Sequence, residues 1–183
     1  MIEVEKKFSI DEAVIKRIEV DAEYISTVVY HDALFDDDHY SLISKDIWLR
    51  TRNGQVELKL PETDHSAGVD VYTEISGEDN VIKALDVRDL SSYKPVSKLT
   101  TIRKKFKLGE FNIDIDSVSS ELDDFVYDLM EVELMVASKD EIDFAMKRIS
   151  AFANEYGLTN PADGKNIAYF KKYKPEVLRY FHV

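Results

Sequence analysis

The stretch that decides the fold lies at the start of the chain, where residues 2–8 read IEVEKKF. Side chains two positions apart share a face of a β-strand, so Glu3, Glu5 and Lys7 lie on one face and mostly apolar side chains lie on the other. The same alternation returns further along the chain. We therefore predict strands near residues 2–8, 24–35, 46–53, 55–61, 69–76, 97–107, 111–118 and 125–136.

Turn and helix signals separate these strands. Asn53-Gly54 predicts a two-residue hairpin, because both residues tolerate positive φ. A possible capping box, Ser9 with Glu12, predicts the start of a first helix. Helical spacing of apolar residues predicts helices near residues 10–19, 78–86, 139–156 and 165–174. Many antiparallel strands with few helices are typical of an α+β fold built on a barrel or a strongly curved sheet.

The composition limits the classes of function. The chain has 183 residues, with 24 Lys+Arg against 36 Asp+Glu and a formal net charge of −12. That balance argues against a surface that coats nucleic acid or adheres to an anionic membrane. The lack of Cys excludes disulfides, thiolate metal sites and a Cys nucleophile. Without a signal peptide or an apolar run of about 20 residues, we expect a cytoplasmic protein with no membrane association.

Charged side chains of opposite sign are sorted onto different predicted strands. Some strands present only carboxylates and another presents two arginines beside the single tryptophan, as in Asp114/Asp116, Glu131/Glu133 and Trp48/Arg50/Arg52. A solvated outer face, the simplest explanation of any one strand, usually mixes the two signs. Clustered carboxylates would hold Mg²⁺ or Mn²⁺, and clustered Arg and Lys would hold phosphate oxygens. The sorting favours a polar tunnel inside a barrel of about eight strands.

Read in order, these segments resemble the CYTH superfamily, the triphosphate tunnel metalloenzymes, and most closely its thiamine-triphosphatase branch. The resemblance is carried by E-x-E-x-K at 3–7, W-L-R-T-R at 48–52, E-L-K at 57–59, Y-T-E at 72–74, T-I-R at 101–103, I-D-I-D at 113–116, E-V-E at 131–133 and G-K at 164–165. It implies an α+β fold, a closed antiparallel β-barrel or tunnel of about eight strands with helices packed outside. It also implies a single domain over residues 1–183 that hydrolyses a triphosphate with bound Mg²⁺ or Mn²⁺.

The resemblance assigns roles to single residues. Phosphate binding is implied for Lys7, Arg50, Arg52, Lys59, Arg103 and Lys165. Metal binding is implied for Glu3, Glu5, Asp114, Glu131 and Glu133, together with Asp116 and with Glu74 as a further acid of the same lining. Within these sets we expect Lys59, Arg103 and Glu5 to be catalytic.

Two positions bear on the substrate. Trp48 shares a strand face with two predicted phosphate ligands, where it either stacks on an organic group such as the thiamine rings or packs in the core. The family segment D-T-Y-Y-D reads D-A-L-F-D here, at residues 32–36. Leu34 therefore replaces a tyrosine whose hydroxyl can partner Lys59, and one hydrogen-bonding and acid–base group is lost.

The resemblance favours hydrolysis of thiamine triphosphate to thiamine diphosphate and phosphate, with this small-molecule triphosphate as the partner. The alternatives are hydrolysis of inorganic tripolyphosphate or another organic triphosphate, a class IV adenylyl cyclase, and a triphosphate-binding module without catalysis. A cyclase would release pyrophosphate and cyclic AMP instead of phosphate. We expect no nucleic-acid partner and a monomer or homodimer.

Overall fold

Eight antiparallel strands close into a barrel in the computed structural model, which describes residues 1–62 and 69–180. The strands are β1 (Ile2–Ser9), β2 (Glu23–Asp36), β3 (Trp48–Arg52), β4 (Gln55–Pro61), β5 (Asp70–Ser76), β6 (Lys94–Leu108), β7 (Phe111–Ser120) and β8 (Val126–Val136). Around the barrel they follow the order β1-β5-β4-β3-β2-β6-β7-β8, and β8 pairs with β1 to complete the closure. The predicted fold class is confirmed.

Helices cover the outside and one end of the barrel. They are α1 (Glu12–Asp21), α2 (Glu78–Leu85), α3 (Ile142–Tyr156) and α4 (Lys165–Tyr173). Apolar residues of α1 and α3 pack on the outer faces of β1, β7 and β8, where Val4, Val132 and Ile149 are fully buried. Val81 of α2 packs in the same way on Leu58 of β4. No helix in the described part of the chain is long and apolar enough to cross a membrane.

The alternation seen in the first strand orders the whole barrel. On β1, Val4 and Phe8 lie in the apolar core beneath the helices. Glu5 and Lys7, on the opposite face, bond to each other and to neighbouring strands inside the barrel. Because the helices cover the outer face, the hydrophobic core lies outside the barrel wall and the interior is left for polar side chains. The barrel is therefore a polar tunnel.

Apolar side chains nevertheless close one end of the interior. Leu34 and Leu99 share the inward faces of their strands with charged residues, and they pack against Tyr169 and Phe170 of α4. This contact holds α4 at the end of the barrel. Its first residue, Lys165, thereby reaches the charged lining.

Two local predictions can be compared with the structure. Asn53 and Gly54 have φ angles of 49° and 83°, so the predicted hairpin is confirmed. The capping box at Ser9 is wrong, because Ser9 remains in β1 and the first helix begins at Glu12. Asp11 caps that helix instead, since its carboxylate accepts two backbone N–H groups of the first turn at 2.8 and 3.2 Å.

Candidate active site

Ion pairs line the interior on the side formed by β1, β3, β4 and β5. Lys59 Nζ lies 2.5 Å from a carboxylate oxygen of Glu3 and 3.1 Å from one of Glu74. Arg50 lies 2.7 Å from Glu57 and 3.4 Å from Glu74. Burial alone would lower the pKa of Lys59, but the surrounding carboxylates outweigh burial and raise it. Lys59 is therefore a fixed positive charge at neutral pH.

Lys7 forms a second group on β1 and β5. Its Nζ lies 2.6 Å from Glu5 and 2.5 Å from Asp70. Burial disfavours the ammonium, yet the nearby carboxylates, Glu5 first among them, raise the pKa of Lys7 well above its ordinary value. A charged lysine therefore stands beside the E-x-E pair, as the period of two residues predicts.

Arg103 on β6 holds the largest cluster. Its guanidinium donates to Asp116 at 2.7 and 2.5 Å, to Asp114 at 2.6 Å and to Glu131 at 2.6 Å. Both oxygens of Asp116 accept from this one guanidinium, which is the bidentate geometry that arginine favours. Lys105 lies 3.7 Å from Asp114. Asp116, predicted as a metal ligand, is thus an ion-pair partner of Arg103 in this arrangement.

Asp32 connects the C-terminal helix with the barrel wall. It accepts two hydrogen bonds from Arg52 on β3, at 2.8 and 3.0 Å, and one from Lys165 at the start of α4. Lys165 also donates to the hydroxyl of Thr101 on β6, at 2.9 Å. Burial lowers the pKa of Lys165 to about 8, with Asp32 opposing the shift and Arg52 adding to it. Lys165 therefore changes from charged to neutral as the pH rises through about 8.

Carboxylates crowd together where β1 meets β8. Glu5 and Glu133 are direct cross-strand partners. Burial first and neighbouring carboxylates second raise the pKa of each to about 7. Glu131 behaves differently, because Arg103 and then Lys7 overcome the effect of burial and hold its pKa at about 2. A cation placed among these side chains would relieve the repulsion between them.

The predicted metal ligands fit a divalent cation in chemistry but not yet in arrangement. Within residues 1–62 and 69–180, no group of three or more Asp, Glu or His is positioned to hold a metal ion. The carboxylates instead face lysines and arginines. Their oxygens are nevertheless the donors that Mg²⁺ and Mn²⁺ prefer. Oδ1 of Asp114 is buried without a hydrogen-bond partner among the described residues, so one such oxygen is already left for a ligand.

A cavity of about 560 Å³ opens among these ion pairs. Its wall includes six of the predicted charged site residues, namely Glu5, Lys7, Arg50, Lys59, Glu131 and Lys165. The others lie on the barrel lining beyond the cavity wall, namely Glu3, Arg52, Glu74, Arg103, Asp114, Asp116 and Glu133. A volume of this size suits a small-molecule ligand.

The cavity also has an apolar wall. Trp48 lines it and packs at the margin of the apolar cluster at the barrel end, a position that is compatible with either interpretation of this residue. Leu34 lines the same wall, is buried, and lies directly across the strand pair from Arg50. The leucine that replaces the family tyrosine is therefore part of the cavity surface.

Asp32 and Asp70 are site carboxylates that were not predicted from the sequence. Asp32 lies two residues before Leu34, and Asp70 lies two residues before Tyr72, so the period of two residues already puts both on inward faces. Their partners could not be predicted in this way, because the pairs with Arg52, Lys165 and Lys7 depend on barrel closure and on the position of α4.

A closed antiparallel barrel with the hydrophobic core outside and paired charges inside defines a tunnel-fold protein. Residues 1–163 match the CYTH domain, and the chain belongs to this family. The family match ends before α4, so Lys165 lies beyond it.

Individual relatives agree with this assignment. The thiamine-triphosphatase of Macaca fascicularis is 27% identical over 203 aligned positions, covering 96% of this chain and 87% of that protein. The PH1819 protein from Pyrococcus horikoshii OT3 is similar with a TM-score of 0.68 and 20% identity, covering 94% and 99% of the two chains. HpAC1 from Hippeastrum, described as having a dominant triphosphatase activity, gives a TM-score of 0.62 and 16% identity over 93% and 94%. At such identities the two structural likenesses show the fold alone.

Proposed function

We propose that the protein hydrolyses a triphosphate, and that thiamine triphosphate is its substrate. The proposal is carried by one observation, the paired lysines and arginines around a cavity of about 560 Å³ inside a closed barrel. Membership of the CYTH family and the thiamine-triphosphatase relative support it. In this proposal residues 1–183 act as one domain.

The lining cations bind the phosphate chain. Lys7, Arg50 and Lys59 project into the cavity wall from three strands, and Lys165 projects from α4. Phosphate oxygens take the places of the carboxylates that now hold these cations, since both groups accept the same hydrogen bonds. The binding site is thus preorganised in charge.

The chemistry needs positioning and charge stabilisation more than covalent work. A divalent cation held by Glu3, Glu5, Asp114, Glu131 and Glu133 would neutralise phosphate charge and lower the pKa of an attacking water. Lys59 and Arg50 orient the phosphate chain and stabilise negative charge on it. Without the cation the pKa of Glu5 is about 7, so binding of the cation at neutral pH would release a proton from this carboxyl group. Arg103 acts indirectly. It lies behind the cavity wall, and its guanidinium holds Glu131, which is part of that wall.

The apolar wall supports an organic triphosphate over inorganic tripolyphosphate. Trp48 and Leu34 add nothing that a bare phosphate chain needs, whereas an aromatic ring would bury apolar surface against them. Tripolyphosphate would use the charged wall alone.

The first experiment compares product release from thiamine triphosphate, tripolyphosphate and ATP, each with Mg²⁺, with Mn²⁺ and with a chelator. We expect metal-dependent phosphate release, fastest from thiamine triphosphate at low concentration. Fastest turnover of tripolyphosphate would contradict the substrate. Pyrophosphate from ATP alone would identify a cyclase, and no release from any substrate would contradict the hydrolase.

Neighbouring lysines on β1 offer a matched pair of variants. Lys7→Ala removes a cavity cation, and we expect kcat/KM to fall about 10²- to 10³-fold. Lys6→Ala removes a lysine of the outer face, whose ammonium lies 5.8 Å from the Phe8 ring, and should leave the rate close to wild type. Equal rates in the two variants would contradict the proposed site.

A further inference from the structure

The single tryptophan of the chain is held at its edge by a short hydrogen-bond triangle. Nε1 of Trp48 donates to Oδ1 of Asp46 at 2.8 Å and lies 3.2 Å from the hydroxyl of Tyr72. That hydroxyl donates to the carboxylate of Asp46, with both oxygens at 2.9 Å. The three side chains therefore fix one another, and the indole plane has little freedom to turn.

The backbone supports this arrangement. Asp46 has a φ of 58° and follows the 3-10 turn Ile43–Lys45, two residues before the start of β3 at Trp48. Aspartate and asparagine tolerate this left-handed conformation better than most residues. Trp48 is in turn the direct cross-strand partner of Lys59 on β4. Asp46 thus sets the indole beside a predicted phosphate-binding lysine.

The charge of Asp46 has a second effect on the ring. A hydrogen bond from the indole N–H to a carboxylate is stronger than one to a neutral acceptor. Because the acceptor is an anion, it makes the face of the indole more negative and more attractive to a cation. Trp48 and Tyr72 both line the cavity, so a ligand bound there would lie against them.

We propose that Asp46 is a positioning residue that acts through Trp48 to select triphosphates carrying a cationic aromatic ring. The inference rests on the proposed function for its substrate and names the group that sets the preference. Asp46 itself does not touch the reacting phosphate in this proposal. Its removal therefore changes binding of the organic group and leaves the chemistry of the phosphate chain alone.

The kinetic test compares two substrates that differ only in the organic group. In Asp46→Ala, we expect kcat/KM for thiamine triphosphate to fall about tenfold, mainly through KM, while the value for tripolyphosphate stays within about twofold of wild type. Asp46→Asn keeps an acceptor oxygen and the left-handed backbone but loses the charge, so it should lie between wild type and Asp46→Ala. Asp38→Asn is the matched control, because Asp38 is an exposed carboxylate paired with Lys94 at 2.8 Å.

Fluorescence of the single tryptophan gives a readout that does not need turnover. With a chelator present, thiamine diphosphate should quench Trp48 in the wild type and bind more weakly to Asp46→Ala, whereas ADP, whose ring is neutral, should bind both proteins alike.

In the kinetic test, equal losses of kcat/KM for thiamine triphosphate and tripolyphosphate, or no loss for either, would overturn the role of Asp46. A wild type that releases no phosphate would overturn the proposed function instead, and the fluorescence comparison would still decide on Asp46. Thermal melting of each variant identifies any that does not fold, and Asp46→Asn then carries the test.

Discussion

Arg103 is the counter-ion of three carboxylates, and its removal would leave all three buried without it. Breaking a buried ion pair from one side costs about 3–5 kcal/mol. We expect Arg103→Ala to lower the free energy of unfolding by about that amount at neutral pH, and Arg103→Lys to lower it less. Arg148→Ala, which removes an arginine of the outer surface paired with Glu110, should change it by about 0.5 kcal/mol or less. Urea unfolding measures all three variants.

The same variant has a predictable pH dependence. Arg103 and then Lys7 hold the pKa of Glu131 at about 2, below its ordinary value of 4.5. The stabilisation linked to Glu131 is therefore present in full above pH 4.5 and is lost as the pH falls toward 2. The difference in stability between wild type and Arg103→Ala should shrink over that interval. A difference that grew on acidification would contradict the pairing.

Lys165 permits a second prediction at the residue scale. Burial lowers its pKa to about 8, so phosphate binding that uses its charge should weaken as the pH rises through that value. We expect the affinity for tripolyphosphate, measured with a chelator, to fall by up to about tenfold per pH unit above 8. Lys165→Arg stays charged and should lack this part of the fall, while the ionisation of the ligand is the same for both proteins.

Unfolding would not imitate this loss of affinity. The folded pKa of Lys165 lies below its ordinary value of 10.5, so the unfolded chain binds more protons between pH 8 and 10.5. The contribution of Lys165 to the free energy of unfolding therefore rises with pH in that window. Identical pH profiles for wild type and Lys165→Arg would contradict the assigned role.

At the scale of single elements, α4 closes one end of the barrel and positions Lys165 in the site. Phe170 is fully buried in the apolar cluster with Leu34 and Leu99. We expect Phe170→Ala to lower the free energy of unfolding by about 3–5 kcal/mol, because it leaves a cavity at the barrel end. Phe144→Ala is the matched control, since Phe144 on α3 is 60% exposed. Chemical denaturation distinguishes the two, and equal small losses would show that α4 is not packed as described.

The strands could be predicted because their physics is local. Alternation along β1 and β3 fixes which side chains face inward, and Asn53-Gly54 requires positive φ whatever surrounds it. The first helix start was misplaced because two capping residues, Ser9 and Asp11, compete there, and pairing in the sheet decides between them. Helix propensity and capping preference along the sequence do not predict that pairing.

The site could be predicted as a set of inward residues but not as a set of partners. The sorting of signs along the strands indicates a charged interior, and the structure has one. Which carboxylate holds which cation depends on register across strands distant in sequence, as in the contact of Lys59 with Glu3. Asp46 was not predicted as a site residue for the same reason: it begins the strand predicted near residues 46–53, but its contact with Tyr72 exists only in the folded barrel.

At the scale of the whole molecule, the acidic interior should make stability depend on pH and on divalent cations. Glu5 and Glu133 have pKa values of about 7, raised by burial and by neighbouring carboxylates above the ordinary 4.5. The unfolded chain therefore releases these protons first, and the linked stabilisation is lost as the pH rises from 4.5 through 7. A cation that binds only the folded barrel offsets this loss by mass action.

Thermal melting with and without MgCl₂ measures that effect. We expect Mg²⁺ to raise Tm more above pH 7 than below it, because the carboxylates are then ionised. Glu133→Gln should reduce both the pH dependence and the response to Mg²⁺. An identical response on the two sides of pH 7 would contradict a cation site at these carboxylates.

Closure of the barrel also sets the order in which the molecule can form. The first strand takes its second neighbour from the last, as in the pairing of Glu5 with Glu133, so the ends of the sheet meet only after all eight strands exist. Contacts so distant in sequence are slow to form, because a long loop must close before they stabilise anything. The E-x-E-x-K segment is synthesised before the other seven strands, yet it completes its pairing among the last. A chain truncated before β8 would retain Glu3, Glu5 and Lys7 on β1, but its barrel could not close around them.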